Sequence, residues 1–387
     1  MEFEFSEEQK MMKKAARDFL SREIAPIVNE YEKRGPFSKE EATKFTKMLL
    51  PLGYVVGPIP QEYGGLGLSL VSNGLLFEEL SYAWPSLASM VHLTGVLPLS
   101  LTRVGTDEQR RRYLSRALSG DIISCAAISE PNVGSSAPSG IQTTAILDGN
   151  EYVINGTKTW VTNGPIADVA DVLCVTDKSK GSLGLSRILV EKSQSPFAVK
   201  EIHKLGWRAN PFAELSFADC RVPKENRREF DGATSRERLQ RDLQFGRAML
   251  GIRACGLAQA AIDASIAYAK ERVQFGKPIG SFQMIQEMIV DMVINTESAR
   301  LLALRALALL DKGVGCPKES SMAKALGCEM VIDVTSKAIQ IHGAAGLDEE
   351  LPIERYFRDA RVFAIPDGTT QIQKLIVGRE LLGIKAF

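Results

Sequence analysis

Two textures of apolar and polar residues alternate along this chain and divide it into three parts. Ser6-Glu7-Glu8-Gln9 is a capping-box pattern with Phe5 placed as a hydrophobic staple, and it predicts a helix through about Tyr31. Ser38-Lys39-Glu40-Glu41 announces a second helix. A glycine- and proline-rich loop from Gly57 to Gly67 follows, and helical texture resumes from about Ser69 to about Ala117. After Asp121 the runs become short and β-like. Tyr152-Val153-Ile154 and Thr157-Lys158-Thr159-Trp160 are flanked by tight-turn signals at Asp148-Gly149-Asn150 and Asn155-Gly156. Val169 to Val175, Leu185 to Val190 and Ala213 to Val222 are similar runs, and together they predict a small antiparallel barrel or sandwich. From about Ser235 helices return. Ile285, Met288, Ile289, Met292, Val293 and Thr296 mark one buried helical face, and the Ala/Gly-rich stretch Ala254 to Ala269 permits close helix approach. The expected fold class is α+β, mostly α: a helical domain over 1–120, a β domain over 121–232 and an antiparallel four-helix bundle over 233–387.

Composition narrows the function without naming it. The 387 residues exceed the usual size of one core, and 45% apolar with 24% charged content is ordinary for a soluble globular protein. Lys+Arg and Asp+Glu both number 47, so there is no electrostatic footprint for nucleic acid or an anionic membrane. No uninterrupted apolar run stands out as a bilayer span, and the acidic start Met1 to Ser6 is unlike a secretory or transit signal. Six scattered cysteines and three dispersed histidines suggest neither a metal site nor a disulfide framework. A reducing, cytoplasmic setting is expected.

The candidate chemistry centres on Ala364-Ile365-Pro366-Asp367-Gly368-Thr369-Thr370-Gln371, a turn that opens a helix. Taken alone, Asp367 is a turn or N-cap carboxylate, and Thr369 or Thr370 can cap the helix. Ile128-Ser129-Glu130-Pro131-Asn132-Val133-Gly134-Ser135-Ser136 is either a plain polar loop or a set of amide and hydroxyl donors for a planar or phosphorylated ligand. Trp160 by default belongs to a core. Arg272 reads as an exposed helix-end residue or a planar fork for a diphosphate, and Gln274 as an amide suited to adenine or ribose.

Five segments in order resemble the acyl-CoA dehydrogenase family over essentially the full length. They are the Ile128 to Ser136 loop, Asn155 to Gly164, Lys204 to Arg208 with Phe217 to Pro223, Glu271 to Ile279 with Phe282-Gln283, and Gln340 to Gly346 leading into Asp367. The resemblance implies FAD as cofactor. Ile128, Ser129, Gly134 and Ser135 would belong to the loop at the flavin, with Trp160 against the ring and Thr162 at its edge. Arg272, Gln274, Phe275 and Gln283 would bind the ADP half of FAD in a neighbouring subunit, with Gln340, Gly343, Thr369 and Gln371 completing the cofactor site. Ser135, Leu93, Val96, Leu243, Arg247 and Gly368 would bind the acyl-CoA. A homotetramer and electron-transfer flavoprotein as electron acceptor are implied as well.

The family's organising residue is also where this chain departs. The family pattern Tyr-Glu-Gly-Thr reads Pro366-Asp367-Gly368-Thr369 here, so Asp367 stands where a glutamate removes the α-proton. The shorter side chain withdraws the carboxylate by about 1.3 Å, and a misplacement of that order can cost about 100-fold in rate. Some family members carry their glutamate just before an arginine matching Arg247, but that position is Gly246 here. Ser136 and Ala344 are further departures, from aspartate and glycine. The first expectation is α,β-desaturation of a cyclic or α-branched acyl-CoA such as cyclohexane-1-carboxyl-CoA, with His92 a candidate second acid/base or a hydrogen-bonding structural residue. The alternatives are an oxidase of another carbon acid, like the nitroalkane oxidases that share the fold, and an acyl-carrier-protein-linked dehydrogenase.

Overall fold

The computed structural model describes residues 4–137, 140–228 and 235–384. Its N-terminal helices are α1 (Glu7–Glu23), α2 (Val28–Arg34), α3 (Lys39–Leu49), α4 (Leu70–Ala83), α5 (Pro85–Val104), α6 (Asp107–Gln109) and α7 (Ser115–Leu118). Ser6 and Ser38 both close the full capping box, each cap contributing about 1 kcal/mol. The single helix expected through Tyr31 is broken in two. Pro26 sits in a 3-10 turn between α1 and α2, where it cannot supply an amide to continue the first helix.

The middle strands are β1 (Ser124–Ala127), β2 (Thr144–Asp148), β3 (Glu151–Thr162), β4 (Val169–Val175), β5 (Leu185–Glu191), β6 (Ala198–Glu201), β7 (Phe212–Pro223) and β8 (Arg227–Arg228). They form one sheet in the order β6-β7-β3-β2-β4-β5-β8, with β1 beside β4. The sheet is mixed, because β1 and β2 run parallel to β4. Asn155-Gly156 is not a turn. β3 continues through it, and the register against β7 slips there and again between Lys158 and Val161. At the first slip a Cβ on Gly156 would lie 2.5 Å from Thr143 Oγ1, so only glycine fits. At the second, Trp160 takes φ 60°, as a bulge permits.

The C-terminal elements are α8 (Ser235–Glu271), a hairpin of β9 (Val273–Gln274) and β10 (Lys277–Pro278), then α9 (Gln283–Asp311), α10 (Pro317–His342), α11 (Ile353–Phe363) and α12 (Thr370–Leu382). Helices α8, α9 and α10 pack on one another, α11 and α12 lie on α10, and α4 packs along α8. The bundle therefore extends into the first third of the chain. Gly256 explains the close α4–α8 approach, since a Cβ there would sit 2.1 Å from Glu78 O. On α9 the buried face runs through Met292, Thr296, Ala299, Ala303 and Leu307, and Val293 lies outside it, 38% exposed.

Helix α5 is 20 residues long. By length and apolar composition it could cross a bilayer. Here it is a core helix instead, with Leu87, Ala88, Met90 and Val91 fully buried against neighbours that include α4 and β1.

Lys204 to Arg208 and Arg358-Asp359-Ala360 dock on each other. Asp359 Oδ1 accepts the Trp207 N–H at 2.6 Å, and Gly206 leaves no space for a Cβ beside Arg358 O. Glu32 on α2 accepts the Arg208 N–H at 3.0 Å, so all three parts of the chain meet here. Burial, followed by the Glu32 charge, pushes the Asp359 carboxyl up to about 7, and its Oδ2 has no partner. A carboxyl raised on folding takes up a proton between the unfolded value of about 3.9 and the folded one, so this group's contribution falls as pH rises from 4 through 7. Asp359→Asn keeps an oxygen for Trp207 and removes the charge. In urea unfolding it is expected to be more stable than wild type at pH 8, on the order of 2 kcal/mol, with the gap narrowing at pH 5.

Candidate active site

Between α11 and α12 the chain reverses through two consecutive left-handed residues, Asp367 at φ 56° and Gly368 at φ 90°. Glycine adopts this freely, but an aspartate there costs roughly 1–2 kcal/mol, so its surroundings must hold it. Three side chains do. Lys324 Nζ donates to Ala364 O at 3.0 Å and Gly368 O at 2.7 Å. Gln373 Nε2 donates to Asp367 O at 3.0 Å and Gly368 O at 2.8 Å, and Arg247 Nε to Asp367 O at 3.2 Å. The threonines do not cap α12: Thr369 occupies the N-cap position without a side-chain bond, and the Thr370 hydroxyl goes to Glu329. Asp367 is no cap either. Among the described residues no acceptor takes its backbone N–H.

The Asp367 carboxylate is aimed at α8. A Cβ on Gly246 would lie 2.6 Å from its Oδ2, so the missing side chain at 246 is what makes room for it. The carboxyl lines a cavity of about 100 Å³ together with Leu93, Val96, Ile128 and Leu243, all of which the sequence singled out. Burial raises its pKa, while Arg247, Lys324 and Arg253 pull in the opposite direction. Burial also lowers the Arg247 guanidinium from its usual value, against the attraction of Asp367. Arg253 is fully buried, 5.3 Å from the Trp207 ring and 5.9 Å from the Phe363 ring, with Nε and Nη2 unpartnered.

Lys324 and Arg253 went unremarked in the sequence. Lys324 had a signal, since it stands at helical spacing with Gly327, Cys328 and Val331, a face that is otherwise apolar and buried. Arg247 and Gly368 stand behind Asp367 and do not line the cavity, and Ser135 is exposed on the loop after β1.

At one end the cavity meets His92, whose ring burial pushes down to about 3. At the other it is bordered by Arg103 and Asp242, which it shares with a cleft of about 450 Å³ that also has Arg241 and Asp311 on its walls. Asp242 is paired there with Arg187 at 3.4 Å. A charged mouth and an apolar interior suit a substrate with a polar, phosphorylated arm and an apolar reacting end.

Ile128 connects this cavity to the bulged part of β3. The buried Lys158 donates to Ile128 O at 3.0 Å and to Glu130 at 2.8 Å, and Glu130 accepts the amides of Gln142 and Thr143. Glu130 and Lys158 thus hold the loop after β1 against β3. The Thr159 N–H donates to Ser129 O at 2.9 Å, which brings Ser129 alongside Trp160 and Thr162. Trp160 is 59% exposed and forms no part of a core, with Phe212 beside it at 6.1 Å. An indole left open at a strand bulge is a ready surface for a planar ring.

The remaining cofactor candidates are open to solvent. Arg272, Gln274 and Phe275 lie in the β9–β10 hairpin, with Phe275 93% exposed, and Gln283 begins α9. Gln340 and Gly343 end α10, where a Cβ on Gly343 would meet nothing within 4 Å. Thr369 is partly exposed and Gln371 exposed at the start of α12. An open aromatic face, amide and guanidinium donors and unobstructed glycine backbone together fit a flavin dinucleotide.

Three family models match the chain in order: the acyl-CoA dehydrogenase N-terminal domain over 6–121, the middle domain over 125–220 and the C-terminal domain over 237–382. Acryloyl-CoA reductase (NADH) of Anaerotignum propionicum is 37% identical over 385 residues, covering 99% of this chain and 96% of that one. The caffeyl-CoA reductase-Etf complex subunit CarC of Acetobacterium woodii is 38% identical over 388 residues, covering 98% and 99%. Butyryl-CoA dehydrogenase from Megasphaera elsdenii superimposes with a TM-score of 0.93 at 32% identity, covering 99% of this chain and 100% of that one. The chain belongs to the acyl-CoA dehydrogenase family, as an FAD-dependent oxidoreductase that acts on the CH–CH group of acyl-CoA thioesters.

Proposed function

We propose that this enzyme desaturates the α,β bond of a compact acyl-CoA whose α-carbon is branched or part of a ring, cyclohexane-1-carboxyl-CoA being the model substrate, with Asp367 as the base. The observation that carries this reading is the Asp367 carboxylate in the cavity, in the space that Gly246 leaves free. It forms no hydrogen bond or ion pair with a described side chain, whereas the cavity's other carboxylate, Asp242, is paired with Arg187. A carboxylate raised by burial is moved toward the range where a base works near neutral pH.

The free Asp367 N–H can donate to the thioester carbonyl and stabilise the negative charge that builds on it as the α-proton leaves. Acceptance of the β-hydrogen as hydride is the chemistry that FAD would supply when bound. Aspartate reaches less far than glutamate, so the α-carbon must come closer to the turn and to α8. An open side at Gly246 permits that, and a compact acyl group fits the small cavity. Gly246→Ala is therefore expected to displace the carboxylate and slow flavin reduction at least ~10-fold, measured by anaerobic stopped-flow with cyclohexane-1-carboxyl-CoA. An unchanged rate would place the working carboxylate elsewhere.

Electron-transfer flavoprotein is the proposed acceptor, supported by the relative named as a subunit of a reductase-Etf complex. A homotetramer is also proposed, supported by the exposure of the hairpin residues Arg272, Gln274 and Phe275, which leaves them open to a cofactor held by a neighbouring subunit. A cytoplasmic setting agrees with the six buried free thiols. The deciding experiment is anaerobic titration of the holoenzyme with ring and straight-chain acyl-CoA esters, following the visible flavin band. Bleaching by the ring ester supports the reading, and no bleaching by any thioester ends it.

A further inference from the structure

His92 takes no part in the chemistry above, yet it forms part of the same cavity wall as Asp367. It lies on α5, 8% exposed, with the Phe77 ring edge-on at 5.4 Å and the Phe245 ring tilted at 5.7 Å. Among the described residues neither ring nitrogen has a hydrogen-bond partner, and neither is completely sealed. Buried polar groups are normally paired, so an imidazole left open this way points to a group that arrives with the ligand.

Its place in the cavity says which part of the ligand that is. Arg103 and Asp242 are shared with the large charged cleft, so the polar arm of the substrate enters from that side. His92, Val96 and Leu99 are shared instead with a small recess that Val55, Phe77 and Gly95 complete, while Phe245 borders recess and cleft alike. His92 therefore meets the acyl group. Its surroundings also say in which form. Burial, and after it the Arg253 charge, holds the ring neutral at any working pH. A neutral imidazole offers one N–H donor and one acceptor nitrogen, which match a hydroxyl group; a carboxylate would call for a cation.

We infer that His92 is a specificity-determining residue that receives a hydroxyl group carried on the acyl part of the substrate, so that the preferred ester is a hydroxylated ring or branched acyl-CoA. This rests on the dehydrogenase reading above. A site that hydrogen-bonds a hydroxyl discriminates against the analogue lacking it, because the protein group is then left unpaired.

The test compares anaerobic flavin reduction by cyclohexane-1-carboxyl-CoA with that by its 3- and 4-hydroxy derivatives. Holoenzymes of wild type, His92→Phe and His92→Gln are used, with Asp367→Asn as control. Wild type is expected to prefer one hydroxylated ester by ~10-fold or more in kcat/KM. In His92→Phe the ratio falls to near one, and His92→Gln, which keeps a donor and an acceptor, retains most of it. A merely structural histidine would change both esters alike. Equal kinetics in wild type, or a preference that survives His92→Phe, overturns the assignment while leaving the dehydrogenase reading intact. Reduction by no thioester overturns both, and undiminished reduction in Asp367→Asn overturns only the placement of the base.

Discussion

Asp367→Asn is expected to slow flavin reduction by an acyl-CoA by ~10²–10⁴-fold, the usual contribution of a positioned general base. Asparagine has nearly the same shape, so the turn should survive. Its contacts run through the backbone oxygens of Ala364, Asp367 and Gly368, which Lys324, Gln373 and Arg247 hold whatever the side chain is. The backbone N–H is retained as well, so binding of the thioester should change far less than its oxidation. Anaerobic stopped-flow gives the rate, and equilibrium binding of a non-reacting acyl-CoA analogue gives the affinity. Equal losses in both would mean that the carboxylate serves binding, and an unchanged rate would mean that another group removes the proton.

Lys324→Met is expected to act on stability and on pH dependence together. Lys324 is fully buried, and its ammonium holds two carbonyls of the left-handed turn. Losing both bonds leaves Ala364 O unpaired and Gly368 O held by Gln373 alone, which should cost on the order of 1–3 kcal/mol in unfolding measurements. The charge matters separately. Lys324 on α10 and Arg247 and Arg253 on α8 all oppose the burial that raises the Asp367 carboxyl. Removing one of these cations raises the carboxyl further. The base works when ionised, so the acid limb of the rate profile for flavin reduction should move to higher pH. A destabilised variant whose acid limb stays in place would show that Lys324 supports the turn without tuning the base.

The motifs read from the sequence were real, but several do a different job from the one their pattern suggested. Glu130 sits within a loop expected at the flavin, yet its carboxylate is spent on Lys158 and on two amides that pin the loop to β3. Asn155-Gly156 has the chemistry of a hairpin turn and became a bulge, because β3 pairs with β7 on both sides of it. Trp160 looked like a core residue until that irregular strand left it facing solvent. Local preference offers each segment a few conformations, and pairing partners distant in sequence choose among them.

By itself the sequence determined the succession of helical, β and helical parts, the capping boxes at Ser6 and Ser38, and the acyl-CoA dehydrogenase motifs around Asp367. These depend on periodicity, on turn chemistry and on residue types a few positions apart, all of which a linear reading contains. Only the tertiary structure decided that the missing side chain at Gly246 is the space for the Asp367 carboxylate, 121 positions along the chain. It alone placed the Lys324 ammonium under the turn and left the His92 ring unpaired in the cavity. Those relations exist only where α5, α8, α10 and the turn after α11 converge. Burial there raises an acid, silences an imidazole and makes each unpaired polar atom consequential, and burial is a property of packing that no single segment carries.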